Sequence, residues 1–102
     1  MIAIVAITKE GKRIAKIVTS SFSGKSKLYC SSKGRLKNLV NKIFDKDKFE
    51  GIVFIMALGI VVRLIASYLK NKYLDPAVVA IDRAGRFAIS VVSGHEGGAN
   101  KL

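Results

Sequence analysis

The sequence predicts an α/β domain: a mostly parallel five-stranded sheet with helices on both faces (three layers), whose last two strands form an antiparallel hairpin. Three observations predict it. Short runs rich in Val and Ile alternate with stretches whose apolar residues recur every three or four positions, and this alternation implies parallel strands joined by helices. The run 2–7 is apolar throughout, as expected of a strand covered on both faces. The last two runs, 77–81 and 87–92, are joined by a turn at Asp82, Arg83, Ala84 and Gly85 that is too short for a crossover.

Taken in order, run 2–7 is too short for a buried helix, and Thr8, Lys9, Glu10 and Gly11 break it. From Lys12 onward, Ile14, Ala15, Ile17 and Val18 recur at helical spacing while Lys12, Arg13 and Lys16 take the other side. Residues 20–24 read as a loop, and 27–30 as a short second strand. Ser31 and Ser32 offer an N-cap to a second helix with the stripe Leu36, Leu39, Val40, Ile43 and Phe44. The polar cluster 45–48 ends it. A strand over 52–56, a helix over about 59–70, a turn at Asp75 and Pro76, and the hairpin complete the order.

The stretch 51–69, GIVFIMALGIVVRLIASYL, approaches the roughly 20 apolar residues of a membrane-spanning helix. Arg63 lies past its middle, where a charge costs about 2.5–3.5 kcal/mol on insertion scales. Ile52, Val53, Phe54 and Ile55 are β-branched or aromatic, and Gly59 divides them from the second apolar run, Ile60 to Ile65. A buried strand and then a helix account for the whole stretch, so no membrane segment is expected.

At 102 residues the chain is expected to form a single domain spanning 1–102, with no visible repeat or linker. Half of its residues are hydrophobic, enough to fill a core, which excludes disorder despite a net charge of +11. The single Cys30 excludes a disulfide framework and a cysteine-rich zinc site, and one His without Cys-x-x-Cys argues against a structural metal. Residues 1–7 lack the basic lead-in of a secretory signal, so a cytoplasmic location is expected.

Chemistry is concentrated near the end. Gly94, His95, Glu96, Gly97, Gly98, Ala99 and Asn100 come after a strand and look like the opening of a helix, the place where α/β sheets bind ligands. Glycines let a backbone approach a ligand closely, and free N–H groups at a helix start favour an oxygen anion. His95 is the candidate general base, because imidazole titrates near neutrality, and Glu96 is the candidate orienting group. A glycine-rich turn with a solvated histidine is the alternative; the pattern is neither GxGxxG nor a P-loop. A second constellation runs from Met56 to Arg63: the Gly59 backbone could meet a ligand, and Arg63 could grip a carboxylate in a bidentate fork. Its alternative is a packing glycine beside an arginine that extends from an apolar helix to water. Gly11, after the first strand, occupies the equivalent edge, and in a parallel sheet all three loops are expected on one side.

Lys25, Lys27, Lys33, Arg35, Lys37, Lys42, Lys46 and Lys48 crowd the first half, which makes nucleic acid one candidate partner. Against it, the aromatic residues sit mostly within apolar runs and no RNA-binding signature stands out. A polyanionic small substrate would be served by the same field, and charge alone does not decide between them.

Across residues 51–63, then Asp75 to Val79, Asp82 to Gly85, and Ser93 to Asn100, the chain resembles the N-terminal domain of the CbiG family, the cobalt-precorrin-5A hydrolases of anaerobic cobalamin biosynthesis. The likeness covers residues 51–102 in the family's order and spacing; the first half fits in pattern only. The resemblance implies hydrolysis of a δ-lactone on a cobalt-corrinoid substrate, with a two-carbon unit then lost as acetaldehyde. It implies cobalt carried by the substrate and no protein-bound cofactor. The many carboxylates of such a macrocycle would account for the positive charge. On this reading His95 and Glu96 serve catalysis, while Gly11, Gly59, Arg63, Gly94, Gly97, Gly98 and Asn100 serve substrate binding. Family members continue through a middle region and a C-terminal domain that these residues lack. A corrinoid-binding part that needs a C-terminal domain or separate subunit is therefore the first alternative, and a basic nucleic-acid-binding domain the second.

Overall fold

The computed structural model describes residues 1–22, 25–45, 49–70 and 75–92. One five-stranded sheet organises them: β1 (Ile2–Ala6), β2 (Ser26–Cys30), β3 (Gly51–Ile55), β4 (Ala77–Ile81) and β5 (Ala88–Val92), in the spatial order β2-β1-β3-β4-β5. The first four are parallel and β5 runs antiparallel to β4. Three α-helices accompany the sheet among the described residues: α1 (Lys9–Ser21), α2 (Leu36–Asp45) and α3 (Leu58–Ile65).

The sheet is covered on both sides because its central strands are apolar at every position. Ile2, Ile4 and Ala6 of β1, with Val53 and Ile55 of β3, face α1 through Ala15, Ile14 and Val18. Ala3 and Val5, with Ile52, Phe54, Val78 and Ala80, face α2 and α3 through Leu36, Val40, Ile43, Val61 and Ile65. The alternation in side-chain direction along each strand divides one apolar run between two cores. The expected three layers are present.

Several boundaries move for identifiable reasons. Thr8 caps α1, its hydroxyl accepting the Gly11 N–H at 2.9 Å, so this helix starts earlier than the apolar spacing from Lys12 suggested. It also runs on to Ser21, into the start of the expected loop, and the Thr19 and Ser20 hydroxyls donate to the carbonyls of Ala15 and Ile17 at 2.7 Å. Ser32 precedes a 3-10 turn (Lys33–Arg35) that leads into α2, and its side chain makes no capping bond. The third helix is shorter than expected: after Ile65 it tightens into a 3-10 turn (Ala66–Tyr68), and buried Asp75 takes the Lys70 N–H with both carboxylate oxygens, at 2.8 and 3.0 Å. The stretch 51–69 is thus a strand and then a helix. Among the described residues no helix is long and apolar enough to cross a membrane.

Candidate functional site at the carboxyl edge of the sheet

The strand order creates a crevice. From β1 the chain turns through α1 on one face to β2; from β3 it turns through α3 on the other face to β4. The adjacent carboxyl ends of β1 and β3 therefore send their loops apart, the switch point at which open parallel sheets bind ligands.

The two helix starts flanking this crevice differ. At α1, Gly11 is buried and its N–H is engaged by Thr8. A Cβ on Gly11 would fall 2.9 Å from the Thr8 hydroxyl and 3.3 Å from the Ile55 carbonyl oxygen, so the residue lets the helix seat against the end of β3. At α3, Ala57 occupies the cap position with no side-chain hydrogen bond to offer. Ile60 and Val61 N–H groups reach the Ala57 carbonyl at 3.1 and 3.2 Å, whereas Leu58 and Gly59, two residues earlier, have no helical acceptor. Gly59 is exposed, with open space where a Cβ would project, so it is not a packing glycine. Arg63, four residues on, shares its exposed face one turn down the helix.

Beside the α3 start lies a groove of about 140 Å³ with an apolar floor, lined by Met56, Ala57, Leu58, Ala80, Asp82, Phe87 and Ile89. Phe87 is 64% exposed and Leu58 39%. The groove can seat a flat apolar surface while the helix start and Arg63 offer donors to an anion. Asp82 closes the β4–β5 turn: its carboxylate accepts the Phe87 N–H at 2.8 Å and Arg86 Nε at 3.4 Å. The Phe87 bond, with help from Arg86, holds this carboxyl below the usual carboxylate range.

Gly59 and Arg63 are thus brought together, and Gly11 lies across the crevice on the other face. Gly94, His95, Glu96, Gly97, Gly98 and Asn100 lie outside the described residues. The expectation that all three loops share one edge holds for those after β1 and β3. It does not extend to the strand leading to Gly94, because β5 is antiparallel and its last residue, Val92, pairs with Val78 near the amino end of β4. Sequence reasoning missed the Asp82 lock, whose signal was an acid five residues before the N–H it accepts, and the crevice itself, which depends on strand order.

Fold and edge together define an open α/β domain with a topological switch between β1 and β3. A family model described as cobalamin synthesis G N-terminal matches residues 38–102. A cobalt-precorrin-5A hydrolase of Priestia megaterium is 42% identical over 115 residues, covering 98% of this chain and 30% of that protein. A probable cobalt-precorrin-5A hydrolase of Methanocaldococcus jannaschii is 36% identical over 102 residues, covering 98% of this chain and 29% of the relative. The crystal structure of a cobalamin biosynthesis protein G homolog from Sulfolobus solfataricus superimposes with a TM-score of 0.75 at 26% identity, over 98% of this chain and 31% of that one. The chain belongs to the CbiG N-terminal family, and it spans about 30% of the length of the Priestia relative.

Proposed function

We propose that this chain is the amino-terminal part of a cobalt-precorrin-5A hydrolase, acting on a lactone of a cobalt-corrinoid intermediate in cobalamin synthesis. The observation that carries the reading is 42% identity to the Priestia enzyme along 98% of the chain, supported by a fold shared over the same extent. Cobalt enters as part of the substrate.

The chemistry asks for an activated water and an oxyanion site. Water adds to the acyl carbon, and the acyl C–O bond breaks to give a carboxylate and a free hydroxyl. Loss of the hydroxyl proton then lets the neighbouring C–C bond break. Acetaldehyde leaves, and the electron pair passes into the conjugated macrocycle, which takes up a proton. His95 removes the proton from water with Glu96 orienting it, and N–H groups at Gly97 and Gly98 receive the oxyanion. Gly94 and Asn100 contribute to substrate binding. Gly59 and Arg63 hold a substrate carboxylate at the α3 start, and Gly11 seats α1 against the end of β3.

Acetaldehyde release from the lactone substrate tests this. His95→Ala is expected to slow lactone opening by about 100-fold or more; opening at the wild-type rate would remove the base assignment. The 30% coverage of the Priestia enzyme favours a second reading, a corrinoid-binding part whose catalysis needs the rest of the enzyme. Acetaldehyde produced only after adding the remaining part of that relative would select it.

A further inference from the structure

We propose that a cleft between α1 and the β4–β5 turn is a carboxylate subsite, in which Arg13 and Arg83 grip an acidic side arm of the substrate. The inference rests on the hydrolase reading for the identity of that substrate; the cleft itself is read from geometry.

The cleft measures about 290 Å³ and is lined by Glu10, Arg13, Arg83 and Ala84. Glu10 and Arg13 are three residues apart and share one side of the first turns of α1. Arg83 arrives from the hairpin, and several contacts fix its turn. Gly85 adopts the left-handed conformation at φ 73°, and its N–H donates to the Asp82 carbonyl at 2.9 Å. The turn rests on α1, since a Cβ on Gly85 would fall 2.9 Å from Ile14 Cδ1. The acid of the turn is already engaged, because the Asp82 carboxylate holds the Phe87 N–H and Arg86 Nε. Arg83 is therefore not neutralised by its own turn.

Among the described residues, neither Arg13 nor Arg83 has a carboxylate within ion-pairing distance. Two guanidinium groups against Glu10 leave one positive charge in excess. Arginine presents a planar fork of donors that matches a carboxylate in two parallel hydrogen bonds, which a lysine cannot reproduce. The cleft lies at the carboxyl edge, on the α1 side of β4, so an arm held there belongs to a ligand reaching over the sheet edge.

Calorimetric titration of the 102-residue chain with cobyrinic acid, a cobalt corrinoid bearing free carboxylate arms, tests the proposal. Dicyanocobinamide, whose arms are amides, serves as the uncharged comparison. The wild-type chain is expected to prefer cobyrinic acid. Arg13→Gln and Arg83→Gln should each weaken that binding about three- to tenfold and leave cobinamide binding unchanged. Glu10→Gln should tighten it about twofold by removing the opposing charge. Circular dichroism and Lys42→Gln, on exposed α2 surface, control for folding and overall charge. Absence of a preference for cobyrinic acid, or a preference that survives both arginine variants, overturns the subsite. If the arginine effects hold but the complete hydrolase releases no acetaldehyde from the lactone, the hydrolase reading fails and the subsite stands.

Discussion

The two helix starts beside the β1/β3 crevice occupy equivalent places in the fold and are built in opposite ways. At α1 the protein satisfies itself: Thr8 accepts an orphan N–H, Gly11 is buried, and the missing side chain lets the helix press against the Ile55 carbonyl. At α3 no side chain among the described residues caps the first turn, Gly59 stands in open space, and Leu58 is partly exposed beside an apolar groove. Two glycines that look alike in sequence thus serve different ends. One is needed by the protein's own packing; the other leaves backbone donors accessible where a ligand can reach them.

Substitution at the two glycines tests this contrast most sharply. Gly11→Val should lower stability by about 1–3 kcal/mol, the usual cost of forcing bulk into a packed site, measured by urea unfolding. Removing the cap comes next: Thr8→Ala should cost about 1 kcal/mol, and a protein unchanged by it would break the self-satisfied half of the comparison. Gly59→Ala should go the other way, raising stability by about 0.5–1 kcal/mol because alanine favours a helix and meets no atom there. A loss of stability at Gly59→Ala would show that the open side is packed after all.

The smallest effect is confined to acid. Asp82 ties down the turn that borders both the groove and α1, and its folded carboxyl titrates below its ordinary value through the Phe87 N–H and Arg86. A depressed carboxylate contributes stability that is complete above its unfolded pKa of about 3.9 and is lost as pH falls through the lower folded value. Asp82→Asn should therefore unfold more readily than wild type near neutrality. The gap should narrow below about pH 4, as tracked by thermal melts across that range.

The apolar runs and their spacing, taken alone, determined the order of strands and helices among the described residues, that the core strands are covered on both sides, that β4 and β5 form a hairpin, and that 51–69 divides into strand and helix. These are consequences of local rules, since periodicity and turn length are properties of neighbouring residues. Only the tertiary structure decided which strands lie side by side, because runs 2–6 and 51–55 are equally apolar and neither encodes its partner. It also decided that Gly11 is packed while Gly59 is open, that β5 carries the chain to the amino edge at Val92, and that Arg13 and Arg83 share a cleft. Each of these depends on groups far apart along the chain meeting in space, and the pattern on either side of a residue holds no record of what will be placed against it.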